Sequence, residues 1–121
     1  MLGHVMGLKA MNQHQMALEE LRAGYKTYFE LDSDFLHSIH PDEFLEVMIA
    51  KVELRKQHLE ALAQALMTEG ELLHETDLSL ATDLRKKALV LYLHLESTDQ
   101  TTFSISRKEA ISELKGILEQ D

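Results

Sequence analysis

Apolar residues recur along this chain at the period of an α-helix. In the clearest segment, residues 59–73, apolar or small side chains stand at i, i+3, i+4, i+7, i+8, i+11 and i+14. Similar stripes predict helices over residues 15–31 and 78–97, a helix that begins at Pro41, a final helix after Ser106 and a shorter one over residues 2–11. Because no segment alternates with the two-residue period of a strand, the pattern predicts an all-α fold.

Polar residues and the single proline indicate where these helices begin and end. The polar stretch 32–34 ends one helix and precedes a single turn at residues 35–38. Pro41 suits the first position of the next helix, since proline lacks the N–H that this position leaves unused. Ser106 and Glu109 have the spacing of a capping box, which predicts the start of the final helix.

Length predicts a break in the middle of the chain. An unbroken helix over residues 42–75 would be about 50 Å long, which a domain of this size does not accommodate. We therefore expect a break between Lys51 and Gln57. The whole chain, residues 1–121, is then one helical domain of five or six helices.

The segment from residue 85 to residue 95 joins a basic run to an apolar one. Arg85-Lys86-Lys87 is the longest basic run in the chain, and we interpret it as the solvated face of a helix. The sequence that follows, ALVLYLHL, is apolar on nearly all sides. A helix of that kind is covered on more than one side, so we expect it at the centre of the fold.

Small residues repeat at a spacing of two helical turns in two of the predicted helices. Ala17 and Gly24 stand seven residues apart, and so do Ala81 and Ala88. Each pair lies along one edge of an apolar helix face. Small residues in this arrangement allow a neighbouring helix to approach closely, as in stacked helical hairpins. The spacing therefore predicts a stack of antiparallel helical hairpins.

The sequence LAQALMTEGELLHETDLSLATDLRKKALVLYL, residues 62–93, resembles a tetratricopeptide hairpin. Gly70 stands where the first helix of that repeat has a small residue, and Ala81 and Ala88 stand where the second helix has them. The segment departs from the standard repeat by one missing residue between Gly70 and Ala81, and Leu73 replaces the usual aromatic residue. Residues 7–25 look like the second half of another repeat, whereas residues 28–48 do not look like a tetratricopeptide repeat.

The order of these segments is similar to a family of uncharacterised bacterial proteins with tetratricopeptide-like helical repeats. The similarity covers nearly the full chain, and members carry extra residues ahead of the position of Leu2. We therefore expect that a native N-terminal element is missing from the sequence. The resemblance implies a helical-repeat fold without catalysis, and it assigns no functional residue.

Composition and charge exclude several classes of partner. Apolar residues make up 45% of the chain, which supports a folded domain. The formal net charge of −9 disfavours nucleic acids and anionic membrane surfaces as partners. No apolar run approaches the ~20 residues that span a bilayer, and no secretion signal is present, so we expect a cytoplasmic protein.

The chain offers few groups that suggest chemistry. His37 and His40 lie close to Asp42 and Glu43, but Pro41 separates them, and we expect ordinary surface histidines rather than a metal site. There is no cysteine, and the serines occur where helix ends need caps. Neighbouring carboxylates diverge by about 100° on a helix. We expect neither enzymatic activity nor a cofactor.

Exposed apolar surface is the stronger indication of function. The leading hypothesis is a protein–protein interaction module that docks a helix or an extended peptide, with a basic segment as the favoured partner because the domain is acidic. The expected groove is flanked by the helices over residues 15–31 and 59–73. Candidate partner contacts are Leu2, Val5, Met6, Met11, Tyr25 and Tyr28.

Three alternatives remain open at this stage. Tyr25 and Tyr28 also suit core positions whose hydroxyl groups reach water. The protein could instead be a self-associating domain, a homodimer in which the first and final helices bury each other across a two-fold axis. A small-molecule sensor would need a well-formed pocket with convergent polar groups, for which the sequence gives no sign.

Overall fold

The computed structural model describes residues 13–51, 56–98 and 105–119 of the protein. These residues form six helices, which we number α1 (His14–Phe29), α2 (Ser33–Ser38), α3 (Pro41–Lys51), α4 (Lys56–Leu73), α5 (Leu78–Thr98) and α6 (Ile105–Glu119). No strand occurs in these three ranges. The prediction of an all-α fold is confirmed, whereas the helix predicted for residues 2–11 lies outside the described residues.

Helix α1 ends at Phe29, two residues earlier than the apolar stripe predicts. Glu30 adopts the left-handed conformation, with φ of 57°, and this turns the chain away from the helix axis. The N–H group of Glu30 donates to the carbonyl oxygen of Lys26 at 3.1 Å. Leu31 is buried after the turn, which explains why it continues the apolar stripe without belonging to the helix.

Most of the predicted boundaries agree with the helices. Pro41 is the first residue of α3. Residues 52–55, where the break between α3 and α4 is expected, lie outside the described residues. Asp77 precedes α5, and its Oδ1 accepts a hydrogen bond from the N–H of Leu80 at 3.2 Å.

The predicted capping box at the start of α6 is wrong. The helix already includes Ile105, so Ser106 lies inside the first turn rather than at the cap position. Ser97 belongs to the last turn of α5, and its hydroxyl donates to the carbonyl oxygen of His94 at 2.9 Å. Serine can bond to backbone carbonyls within a helix as well as at its start, so the residue type alone does not fix the boundary.

Helix α5 lies at the centre of the fold, as its apolar sequence predicts. It packs against α4 most extensively and also contacts α3 and α6. Its residues Ala88, Leu91 and Leu95 are almost fully buried. Helix α4 also contacts α1.

Small residues allow α4 and α5 to approach closely. A Cβ atom added at Gly70 would lie 2.9 Å from Cγ of Arg85 and 3.2 Å from the carbonyl oxygen of Ala81. These distances leave no room for a side chain, so glycine is required by the contact itself. Ala81 and Ala88 are also fully buried. The interpretation of Gly70 and Ala81 as residues of a close helix contact is confirmed.

The interpretation of Arg85-Lys86-Lys87 as a solvated face is wrong. Only Lys86 is exposed, whereas Arg85 is 5% and Lys87 0% exposed. Arg85 extends across Gly70, and its Nη1 lies 2.9 Å from Nδ1 of His74 in the turn after α4. The long aliphatic stem of Arg85 is therefore buried against α4 at Gly70.

Lys87 is buried because its ammonium group donates hydrogen bonds to carbonyl groups at the end of α2. Its Nζ donates to the carbonyl oxygen of Leu36 at 2.8 Å and to that of His37 at 3.2 Å, and it lies 2.7 Å from Oδ2 of Asp83. Carbonyl groups in the last turn of a helix have no partner within that helix. Lys87 supplies donors to them, and its charge is balanced by Asp83 on the preceding turn of α5. The short helix α2 is thereby fixed to the central helix.

None of the helices in the described ranges is both long and apolar enough to cross a membrane.

Candidate functional site

A glutamate on α4 is enclosed by three hydrogen-bond donors. The side chain of Glu69 is 0% exposed. Its Oε1 accepts a hydrogen bond from the hydroxyl of Tyr25 at 2.7 Å, and its Oε2 accepts one from Nε of Arg22 at 3.2 Å. Nε2 of His37 lies 2.9 Å from the same Oε2. We call these four residues the Glu69 cluster, which joins α1 and α2 to α4.

The donors of the Glu69 cluster keep its carboxylate ionised. Burial alone would raise the pKa of Glu69, but hydrogen bonds from His37 and Tyr25, together with the charges of His37 and Arg22, outweigh burial and lower it. The pKa of Tyr25 is raised well above its ordinary value by burial and by the neighbouring carboxylate. Glu69 is thus a charged acceptor and Tyr25 a neutral donor, and this pairing satisfies both groups within the core.

Tyr25 is a core residue rather than a partner contact. Its side chain is 0% exposed, which corrects its place among the candidate contacts. The alternative that its hydroxyl reaches water is also wrong, because the hydroxyl donates to Glu69. Tyr28, by contrast, is 60% exposed, so the alternative of a core position is wrong for this residue. Leu2, Val5, Met6 and Met11 lie outside the described residues.

The two histidines considered for metal binding have different surroundings. His40 is exposed at the start of α3, where its Nδ1 accepts a hydrogen bond from the N–H of Asp42 at 3.1 Å, as expected of a residue at a helix cap. His37 is not an ordinary surface histidine, since its side chain is only 18% exposed and faces Glu69. Within the described ranges, no three histidine or carboxylate side chains converge in a way that could hold a metal ion.

An open cleft of about 340 Å³ lies on another side of α4. Helices α4, α5 and α6 form its walls. Its lining residues are Glu60, Gln64, Met67, Thr68 and Glu71 of α4, Tyr92 of α5, and Ser106, Arg107 and Ala110 of α6. We call it the α4–α6 cleft. Polar groups from three helices converge in it, which is the feature that the sequence did not indicate.

Arg107 joins the helices around the α4–α6 cleft. It is 2% exposed, and its Nη2 donates to Oε2 of Glu60 on α4 at 3.2 Å. Its Nη1 donates to Oε1 of Glu96 on α5 at 3.5 Å, and Lys108 donates to the other oxygen of Glu96 at 2.9 Å. A buried guanidinium needs such carboxylates to offset the loss of water. The charge pairs therefore determine where α6 lies relative to α4 and α5.

Tyr92 presents a hydroxyl to this cleft. The residue is 4% exposed, and no residue in the described ranges forms a hydrogen bond with its hydroxyl. Burial raises the pKa of Tyr92 to about 12, with a further increase from the charge of Glu60 and an opposing effect of Arg107. The hydroxyl is thus close enough to both charges to be affected by them, and it stays neutral.

A second depression, about 490 Å³ in volume, lies along the outer face of α5. Its lining residues are Leu78, Ser79, Thr82, Asp83 and Lys86. All of them belong to one helix, so no second element forms an opposing wall. Although its volume is larger, this depression is open surface, and the α4–α6 cleft is the better candidate site.

Sequence reasoning missed Glu69, Arg107 and Tyr92 as residues of interest. Glu69 is one of several glutamates near the end of α4, and its donor Tyr25 is 44 residues away in the chain. Arg107 meets Glu60 across 47 residues. Nothing in the local pattern separates these side chains from solvated ones, because their partners belong to helices whose packing the periodicity does not specify.

No model of a known protein family matches the chain, and no curated protein and no solved structure is detectably similar to it.

Proposed function

We propose that the protein is a non-catalytic, tetratricopeptide-like interaction module that docks a segment of a partner protein in the α4–α6 cleft. The observation that supports this is the α4 wall of the cleft. Glu60, Gln64, Met67, Thr68 and Glu71 follow helical spacing along one side of α4 and face residues of α6. They extend over about 16 Å, or three helical turns, which suits a short peptide segment.

The arrangement of helices supports a tetratricopeptide-like stack as part of this proposal. Helix α4 packs mainly against α5 and also contacts α1, which is the neighbour relation expected when α4 and α5 form one hairpin and α1 ends another. The close contact at Gly70 occurs between these two helices. Helices α2 and α3 are inserted between the hairpins and are the part that departs from a regular repeat.

The proposed docking surface differs from the groove expected between α1 and α4. Those two helices are in direct contact, and the Glu69 cluster occupies the space between them. Glu60, which lines the cleft, stands nine residues, or two and a half turns, from Glu69. The cleft therefore lies on the side of α4 opposite to the Glu69 cluster. We therefore assign the partner segment to the side of α4 that faces α6.

Selection from a displayed library of random peptides tests this function. The protein is immobilised, bound peptides are enriched, and individual peptides are then measured for affinity against two variants. Gln64→Arg places a long side chain in the cleft from an exposed position of α4. Gln15→Arg makes the same substitution at an exposed position of α1, outside the cleft, and serves as the matched control.

We expect enriched peptides that lose at least about tenfold in affinity with Gln64→Arg and keep their affinity with Gln15→Arg, because the new side chain occupies the space that the peptide requires. Selected peptides that bind both variants equally would place docking on another surface. Failure of the library to enrich any peptide would contradict the function itself. The homodimer remains the alternative prediction, and light scattering during size exclusion decides it.

A further inference from the structure

We propose that Arg85 and His74 form a binding site for an oxyanion, a carboxylate or phosphate group, at the turn between α4 and α5. The basis is a buried guanidinium that has no carboxylate partner among the described residues and that contacts an exposed imidazole. Neither residue lines the α4–α6 cleft, so the inference does not depend on the docking of a partner segment there.

The first argument is the balance of charge at the buried basic side chains. In the described ranges these are Arg85, Lys87 and Arg107. Lys87 lies 2.7 Å from Oδ2 of Asp83, and Arg107 pairs with two glutamates. Arg85 is 5% exposed, yet it forms no ion pair with any described residue. A charge removed from water is unfavourable unless an opposite charge is brought to it, and here the described residues bring none.

The second argument is the hydrogen bonding of Arg85. A guanidinium has five N–H donors and no acceptor. Nη1 donates to Nδ1 of His74 at 2.9 Å, and this nitrogen is the one acceptor that the described residues offer. Nε is buried without a partner. Water at the remaining donors would supply acceptors but no charge, whereas an oxyanion supplies both.

Gly70 determines where the guanidinium lies. A Cβ atom at position 70 would be 2.9 Å from Cγ and 3.4 Å from Nε of Arg85, so the side chain passes directly over the glycine. Nε is therefore enclosed against α4. The other end of the guanidinium contacts His74, which is exposed, and so it lies near the protein surface. A ligand from solvent reaches the Nη atoms and not Nε.

His74 adds a second donor to the site. Because arginine only donates, Nδ1 of His74 accepts, and the proton of the neutral ring is on Nε2. In the described part of the chain, the ring forms no hydrogen bond other than the one with Arg85. Its Nε2–H group and the Nη atoms of Arg85 are thus donors near the same surface. Planar donors of this kind match the oxygen atoms of a carboxylate or a phosphate.

Neighbouring carboxylates are the main argument against an anion. Asp77 is occupied as the cap of α5, and Glu71 has an interaction of its own. Glu75 is exposed in the same turn and does not pair with Arg85. Repulsion from exposed carboxylates is screened by salt, whereas the contact of an anion with the guanidinium is direct. Glu75 is therefore the competing partner that the experiment must include.

Titration of the native protein with sodium phosphate, acetate and chloride at neutral pH and equal ionic strength tests the inference. The reporter is the side-chain Nε–H signal of Arg85 in the ¹H–¹⁵N NMR spectrum, since its buried position slows exchange with water. We expect phosphate or acetate to shift this signal weakly but saturably. Chloride should bind at least about threefold more weakly, because a spherical ion does not match two parallel N–H groups. The stronger of the two oxyanions identifies the ligand as a phosphate or a carboxylate.

Substitutions assign the response to Arg85. Arg85→Met keeps a long apolar side chain over Gly70 and should abolish the saturable shift, observed at the amide of His74. Arg85→Lys keeps the charge without the planar guanidinium and should weaken binding by about tenfold. Lys86→Met removes the same charge from the adjacent exposed position and should change Kd by less than about twofold. Equal weakening in Arg85→Met and Lys86→Met would show general attraction to positive charge and would overturn the site.

The remaining outcomes concern the competing glutamate and the native response. Glu75→Gln should keep oxyanion binding and strengthen it by at most about threefold, because one repulsive charge is removed. A lower urea midpoint of Glu75→Gln, together with no response of the native protein to phosphate or acetate, would show that Glu75 balances Arg85 and would overturn the proposal. A shift that does not saturate, or an equal shift with chloride, would overturn it too. Peptide binding at the α4–α6 cleft is measured separately, so failure here leaves the proposed docking function standing.

Discussion

Glu60 and Glu69 are the same residue type on the same helix, yet their surroundings differ in almost every respect. Glu69 faces α1 and α2, is fully buried, and accepts hydrogen bonds from three side chains. Glu60 faces α6, is 39% exposed in its side chain, and pairs with Arg107 at the edge of a cleft. The carboxylate of Glu69 is thus enclosed and saturated with hydrogen bonds, whereas that of Glu60 is paired on one side and remains partly exposed to solvent.

The two buried tyrosines repeat this contrast. Tyr25 is 0% and Tyr92 4% exposed, so their apolar rings contribute similarly to the core. The hydroxyl of Tyr25 donates to Glu69 at 2.7 Å, while that of Tyr92 lies at the α4–α6 cleft without such a partner among the described residues. Burial of the ring therefore does not distinguish the two regions. They differ in whether the hydroxyl group of the tyrosine forms a hydrogen bond.

Removing the charge of Glu69 should produce the largest effect. Glu69→Gln keeps the shape of the side chain but leaves Arg22 and His37 without a carboxylate, and we expect a loss of about 3 kcal/mol in the free energy of unfolding. Urea denaturation at neutral pH measures it. Glu113→Gln, on the exposed face of α6, is the control and should change stability by less than about 0.5 kcal/mol. Similar losses in both variants would contradict a structural role of the cluster.

Removing each tyrosine hydroxyl should affect the free energy of unfolding differently in the Glu69 cluster and in the α4–α6 cleft. Tyr25→Phe deletes a donor to a buried carboxylate, and we expect it to cost about 1.5–3 kcal/mol in the free energy of unfolding. Tyr92→Phe deletes a hydroxyl that makes no such bond, so the free energy of unfolding of this variant should stay within about 0.5 kcal/mol of that of the native protein. Thermal denaturation of both variants gives the comparison. A large loss in Tyr92→Phe would show that its hydroxyl has a structural partner.

The smallest effect is a dependence on pH. Because the pKa of Glu69 is lower in the folded protein than in the unfolded chain, the unfolded chain binds more protons in the acid range. The stabilisation is complete above the ordinary glutamate pKa of about 4.3 and is lost as the pH falls through the lowered value. The stability difference between the native protein and Glu69→Gln should therefore shrink below that pH, by at most about 1.4 kcal/mol per pH unit.

Urea denaturation of both proteins at pH 5, 4 and 3 measures this dependence. The effect of the other carboxylates cancels in the difference, since both proteins contain them. A difference that stays constant from pH 5 to pH 3 would mean that the charge of Glu69 is not what the donors stabilise.

The periodicity of the sequence was sufficient to predict most of the helices. The all-α class, the start of α3 at Pro41 and the central position of α5 follow from patterns within one segment. Gly70 could also be predicted, because a glycine in the middle of an apolar helix implies a close neighbour. These features depend on residues that are near one another in the chain.

The errors have a common origin. Lys87 and Arg85 were interpreted as solvated, and Tyr25 as a possible partner contact, because charged and amphipathic residues are usually found at the surface. Lys87 is buried because the end of α2 presents two carbonyl groups to it, 51 and 50 residues away. A buried charge is stable only where such partners are present, and only the packing of the helices provides them.

The sequence by itself determined that this chain forms helices, where most of them begin and end, and that α4 and α5 meet closely at small residues. Those properties follow from hydrogen bonds within a helix and from the spacing of apolar side chains. The tertiary structure alone decided which polar residues are enclosed, as Glu69 is, and which line a cleft, as Glu60 and Tyr92 do. The physical reason is that the free energy of a polar group depends on the partners brought to it from distant segments, and no local pattern specifies them.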